Sequence, residues 1–338
     1  MKYPKNYLEE IKLRLKVSQV IGKAVKLKRR GKEFIGLSPF TTEKTPSFTV
    51  SDEKGFYHCF SSGEHGNIFD FLMKTQSLKF GEAVRQLASE AGMQPYRFTS
   101  FDLEKEKRYE TYRSILKNYS DYHHKLIFQN NSFAIDYLKK RGIRKETIIE
   151  FQIGFVPDNS DYYNHLSKKF SEQEILQTGL FYKNENYNKF INRFNSRIIF
   201  PIKNIVGDVI AFGGRIIHDN KKTAKYINSP ETEFYKKGRH IFNLDKAKSA
   251  PKRNQEVIIV EGYMDVISIY SSGIKNVVSN SGIALTENQI SLIWKFFSNP
   301  IVCLDGDSSG QKAALRIAEN LLPHIKENNK IGFVALSN

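Results

Sequence analysis

Two apolar runs rich in β-branched residues, Val257-Ile258-Ile259-Val260 and Ile301-Val302-Cys303-Leu304, each pass directly into a carboxylate, Glu261 and Asp305. Runs that are apolar on both faces belong to strands buried between helices in a parallel sheet. Asn276-Val277-Val278 and Ile331-Gly332-Phe333-Val334-Ala335-Leu336 are further candidates, with helical patterns between the runs. Residues 255–338 are therefore expected to form a doubly wound α/β sheet. It is expected to be incomplete, because the last strand reaches Ser337-Asn338 with no helix after it.

In such a sheet the carboxyl ends of the strands form the edge where ligands bind, so Glu261 and Asp305 should share that edge. Asp305-Gly306-Asp307 adds another carboxylate, with Gly306 permitting a tight turn. Clustered carboxylates repel one another unless a cation joins them, which predicts Mg²⁺ or Mn²⁺ on Glu261, Asp305 and Asp307. The alternative is that Asp305 and Asp307 cap the helix expected near Ser309. A second acidic strand end, Glu261-Gly262-Tyr263-Met264-Asp265, favours the metal.

The N-terminal part reads differently. Residues 1–98 combine a helical start, short β-prone pieces such as Phe48-Thr49-Val50 and Gly55–Phe60 punctuated by Pro39, Pro46 and Gly55, and a helical end stopped near Gly92. Residues 99–110 are mostly charged and are expected to be a linker. Residues 111–165 look helical. Arg197–Ile202 and Val209–Phe212, separated by Val206-Gly207-Asp208, predict a hairpin within a mixed α+β subdomain over 111–254.

Lys and Arg number 52 against 36 Asp and Glu, a formal charge of +16 that points to a polyanionic partner. Cys59 and Cys303 alone cannot staple 338 residues and suit a reducing compartment. The charged first twenty residues exclude a signal peptide, and no apolar run reaches the roughly 20 residues of a membrane span, so the chain is expected to be cytoplasmic and free of the membrane.

Glu-Gly-Tyr-Met-Asp-Val at 261–266, with Leu-Asp-Gly-Asp-Ser-Ser-Gly at 304–310, resembles the Toprim domain of the bacterial DnaG-type DNA primases. Asn-Ser-Pro-Glu-Thr at 228–232, followed by Lys-Gly-Arg at 237–239, resembles the basic subdomain of their RNA polymerase domain. The resemblance implies an RNA polymerase that copies single-stranded DNA into an RNA primer from ribonucleoside triphosphates. Glu261, Asp305 and Asp307 would hold metal, with Asp265 in support. Arg193, Arg197, Arg215, Lys225, Asn228, Lys237 and Arg239 would hold template or nucleotide. Rival readings are a Toprim nuclease and a single-stranded DNA-binding protein without catalysis. Family members bind a replicative helicase through a C-terminal domain that is absent from this chain, which is read as shortened.

Pro-Phe at 39–40, Glu-Lys-Thr-Pro-Ser-Phe at 43–48 and His-Cys-Phe at 58–60 resemble the same family's zinc-binding module. Its four ligand positions hold Ser38, Thr41, Cys59 and Ser62. Hydroxyls do not replace thiolates or imidazoles around a borderline-soft ion, so zinc is expected to be absent from a ribbon that folds without it. Glu43, Lys44, Phe48, Lys54 and Tyr57 are candidates for single-strand contact through charge and stacking.

Overall fold

The computed structural model describes residues 3–129, 132–158, 161–184, 186–217, 223–250, 256–282, 285–325 and 330–335. The chain forms two compact units, residues 1–107 and 108–338.

In the first unit, α1 (Lys5–Arg14) and α2 (Val17–Ile21) precede an antiparallel sheet in chain order. Its strands are β1 (Lys28–Arg30), β2 (Glu33–Gly36), β3 (Phe48–Ser51), β4 (Phe56–Cys59) and β5 (His65–Gly66). Two helices follow, α3 (Ile68–Thr75) and α4 (Phe80–Glu90). Asn67 starts α3 by accepting from Phe69 N at 2.8 Å, while Asp70 accepts from Asn67 N at 2.9 Å, so two orphan amides are satisfied reciprocally. Ile68, Phe69, Phe71 and Leu72 on one stripe of α3 are buried. They meet Phe48 and Tyr57 of the sheet in a core where each buried aromatic or aliphatic side chain contributes about 1.5–3 kcal/mol.

Residues 100–110 of the expected linker are helical. They open α5 (Ser100–Gln129), which runs across the boundary between the units. Thr99 and Asp102 start it, with Thr99 N donating to Asp102 Oδ2 at 3.0 Å and Asp102 N to Thr99 Oγ1 at 3.2 Å.

The second unit continues with α6 (Ser132–Lys140), α7 (Lys145–Glu150), β6 (Gly154–Val156), α8 (Tyr162–Ser167) and α9 (Glu172–Gln177). Strand β6 lies inside the region expected to be helical. The small hairpin β7 (Phe181–Asn184) and β8 (Lys189–Asn192) comes next. The expected long hairpin is present as β9 (Arg197–Lys203) and β10 (Val209–Ile216), which form the sheet β11-β10-β9-β6 with β11 (Tyr226–Asn228). After α10 (Leu244–Ala247) comes the parallel sheet, in the order β13-β12-β14-β15. Its strands are β12 (Glu256–Val260), β13 (Val277–Ser279), β14 (Asn299–Leu304) and β15 (Gly332–Ala335), with α11 (Tyr263–Ser271), α12 (Glu287–Trp294) and α13 (Ser308–Leu321) between them. Leu336, the expected end of the last strand, and the boundary placed at 254/255 lie outside the described residues. Val257, Ile259, Val302 and Leu304 are buried in one cluster with Ile290, Ile293 and Ile317 from the helices. Among the described residues no helix is long and apolar enough to cross a membrane.

The two four-stranded sheets of this unit share a seam. A Cβ on Gly213 would lie 2.3 Å from the Tyr263 ring, so only glycine lets β10 approach the start of α11 this closely. The same ring stacks on Phe200 at 5.7 Å and meets Phe242 edge-on at 4.9 Å.

Candidate active site

Strands β12 and β14 are hydrogen-bonded parallel neighbours, with Ile259 opposite Val302, so the residues that follow them emerge side by side. The backbone N–H of Asp305 donates to Glu261 Oε1 at 3.4 Å. The Glu261 carbonyl is pinned in turn by Ser279 Oγ at 2.7 Å and by the Gly282 N–H at 3.1 Å. Asp307 accepts from Gly310 N at 2.8 Å as the cap of α13, and Asp265 Oδ2 accepts from Gly262 N at 2.9 Å at the start of α11. The capping role considered for this motif is thus real for Asp307. It leaves further carboxylate lone pairs unused.

Packing makes this turn glycine-dependent. A Cβ on Gly310 would stand 2.0 Å from the Asp305 carbonyl oxygen, so α13 can begin this close to the end of β14 only with glycine there. Lost hydration, then the charges of Asp305, Asp265 and Asp307, raise the Glu261 carboxyl above its ordinary value, against the Asp305 N–H. Asp265 is raised by lost hydration first and by Asp305 as well, opposed by the Gly262 N–H, Arg215 and Arg141. Three further carboxylates therefore bear on Glu261 at this edge. Among the described residues no three histidine, cysteine or acidic side chains form a ready-made metal cluster. The oxygens of Glu261, Asp305 and Asp307 are nonetheless the hard donors that a hard cation takes, and their mutual repulsion is what such an ion relieves.

The basic residues separate into distinct roles. Arg197 is buried and spends its guanidinium on the carbonyls of Ala224 at 2.8 Å and Lys225 at 3.3 Å, which holds the chain entering β11. Arg193 donates to Gly179 O at 2.9 Å and lies over the Tyr182 ring. Asn228 accepts from the Tyr263 hydroxyl, which ties β11 to α11. Arg215 is buried between the rings of Tyr137 and Tyr226, donates to the Tyr226 hydroxyl and bears on Asp265. Lys225 and Arg239 are exposed, and Lys237 is half-buried with its ammonium pKa lowered by that burial. The turn carrying Lys237 is fixed by the buried Gln289, which donates to the carbonyls of Lys237 at 3.2 Å and His240 at 2.8 Å.

Arg141 belongs to this group and was not anticipated. It lies at the end of α6, with its guanidinium 5.7 Å from the centre of the Tyr137 ring that Arg215 also faces. A Lys139-Lys140-Arg141 run was its only local signal, and such runs are ordinarily solvated helix ends. A cavity of about 220 Å³ borders Glu261, lined in part by Asn280, Leu304, Arg316 and Ile317.

Family profiles match in the same order as these parts: a CHC2 zinc finger over residues 3–101, the N-terminal domain of the DNA primase catalytic core over 122–248, and a Toprim domain over 255–335. The crystal structure of the Aquifex aeolicus primase zinc-binding and RNA polymerase domains is similar over 98% of this chain and 79% of that one, with 31% identity and a TM-score of 0.63. The chain belongs to the bacterial DnaG-type DNA primase family. Curated DNA primases of Haemophilus influenzae and Escherichia coli K12 are each 36% identical over 98% of it. The chain spans 57% and 58% of their lengths. A primase catalytic domain solved bound to single-stranded DNA is also similar, with 31% identity and a TM-score of 0.63 over 68% of this chain.

A Toprim domain in a primase implies a divalent cation, in agreement with the acidic edge. The zinc finger match gives no support to the expected absence of zinc.

Proposed function

We propose that the chain synthesises RNA primers on single-stranded DNA, joining ribonucleotides by divalent-metal-dependent nucleotidyl transfer in the cytoplasm. The observation that carries this reading is the pair of neighbouring strand ends, where the Asp305 amide bonds a Glu261 carboxylate on which the charges of Asp305, Asp265 and Asp307 also bear. Glu261, Asp305 and Asp307 would hold Mg²⁺ or Mn²⁺, which supplies charge for the triphosphate and lowers the barrier to attack by a 3′ hydroxyl. Asp265 keeps its carboxylate at the start of α11, facing Arg215 and Arg141, and so balances the acidic edge against the basic strip. Lys225 and Arg239 are exposed to meet phosphate oxygens of template or nucleotide, and the half-buried Lys237 lies between Glu231 and Gln289 beside them. Arg197 and Asn228 support that surface from within, through the Lys225 carbonyl and the Tyr263 hydroxyl.

The test is incubation of the chain with single-stranded template, the four ribonucleoside triphosphates and Mg²⁺. New RNA is expected, and Glu261→Gln or Asp307→Asn should abolish it while template binding persists. Full synthesis by either variant overturns the catalytic assignment. Cleaved DNA, or a shifted template band with no RNA from the parent chain, overturns the activity.

A further inference from the structure

The ribbon between β2 and β5 carries the fold of a zinc finger without the donors of one. Cys59 closes β4 and is fully buried, and its thiol donates to Ser38 Oγ at 3.1 Å. Ser61 Oγ lies 3.3 Å from the same sulfur and 2.9 Å from Thr41 Oγ1. Ser47 Oγ donates to Glu43 Oε2 at 2.6 Å and lies 2.9 Å from Ser61 Oγ, from which it can accept. Glu43 Oε1 then accepts from the backbone N–H of Ser38 at 2.7 Å and of Ser47 at 3.0 Å. The chain of bonds returns to its start, because Ser38 Oγ accepts from the N–H groups of Phe40 and Thr41, each at 3.1 Å.

Ser38, Thr41 and Cys59, three of the four positions to which the family resemblance assigns ligands, lie in this ring, and the four together do not fit the metal. Three of the four positions offer neutral hydroxyls, and the one thiol is already engaged with two of its neighbours. Structural zinc requires four thiolate or imidazole donors, or nearly so. An independent anchor also holds the turn: the Phe40 ring packs against Phe48 at 6.1 Å, Tyr57 at 5.9 Å and Phe71 at 6.3 Å, inside a core fed by α1, α2, α3 and α4.

We propose that the ribbon is closed by this hydroxyl, thiol and carboxylate ring together with the Phe40 anchor, in place of zinc. The side chains at and beside those positions satisfy one another, so chelation removes nothing from the fold.

Elemental analysis of the purified full chain, combined with thermal melting before and after EDTA, tests this directly. Zinc far below one per chain and superimposable melts are expected. One tightly held zinc per chain, with a melt lowered by its removal, overturns the proposal. A combined Ser38→Cys, Thr41→His, Ser62→Cys variant of the full chain gives the converse test. It is expected to bind one Co²⁺ with thiolate-to-cobalt absorption that the parent lacks. A folded variant that takes up no cobalt overturns the assignment of these positions as the displaced ligand set. Ser61→Ala should speed amide exchange at Phe60 and Gly63 in the metal-free chain, and unchanged exchange there would show that the ring does not hold the turn.

Discussion

The acidic edge of the parallel sheet and the hydroxyl ring of the N-terminal ribbon are both clusters of polar side chains at strand ends, yet their bonding is opposite. In the ribbon, each acceptor faces a donor: Glu43 receives three hydrogen bonds, and Ser38, Ser47 and Ser61 pass the chain on. At the sheet edge, lost hydration and the charges of Asp305, Asp265 and Asp307 raise the Glu261 carboxyl, and lost hydration and Asp305 raise that of Asp265, with backbone N–H groups and two arginines in opposition. A cluster that closes on itself needs no ion, whereas one that repels itself calls for a cation. Counting donors and acceptors separates the two where residue type alone does not.

Charge removal should therefore act in opposite directions at the two places. The largest effect is expected from Asp305→Asn, which should weaken Mn²⁺ binding, read by electron paramagnetic resonance, by roughly 100-fold or more. In chelator the same variant should melt higher than the parent, since one of several repelling charges is gone; a lower melt would deny the repulsion. Next comes Gly310→Ala, whose Cβ meets the Asp305 carbonyl. It should cost roughly 1–3 kcal/mol in denaturant unfolding, as overpacking against backbone does, and should depress metal binding as well.

Glu43→Gln should lower the melt of the ribbon, the reverse of the Asp305 result. The Ser47 hydroxyl first, then the Ser38 amide and its neighbours, hold the Glu43 carboxyl down to about 2 from an ordinary 4.5. A depressed folded value means that its contribution is present above pH 4.5 and is lost as the pH falls toward 2. Amide chemical shifts of Ser38 and Ser47 should follow that window in the parent and not in the variant. The smallest effect is expected from Arg239→Ala. It should reduce the salt dependence of template binding by about one in log–log slope and leave stability unchanged. Arg197→Lys, by contrast, should destabilise the chain, because a single ammonium cannot serve both carbonyls in the guanidinium's geometry.

The parallel sheet was legible because its central strands are covered on both sides and their apolar runs are unbroken, with carboxylates following immediately. The start of α5 was also written in the sequence, as Thr99 and Asp102 three residues apart, but the charged residues after it hide the pattern that apolar spacing reveals. Strand β6 has only three residues and is held by pairing with β9, a contact distant in sequence. For the basic strip, residue type located the region but not the roles. Whether an arginine faces solvent, as Arg239 does, or closes on carbonyls, as Arg197 does, depends on burial that no local pattern encodes. Arg141 joins the site from α6, far along the chain from every motif.

The ring of Tyr263 lies against Gly213 on one side and Phe200 on another, while its hydroxyl holds Asn228. That seam sets a rule for anyone building hybrids of such enzymes. A segment carrying 197–228 and a segment carrying 261–310 cannot be inherited from different parents without refitting glycine, ring and amide together. They form a single exchangeable cassette.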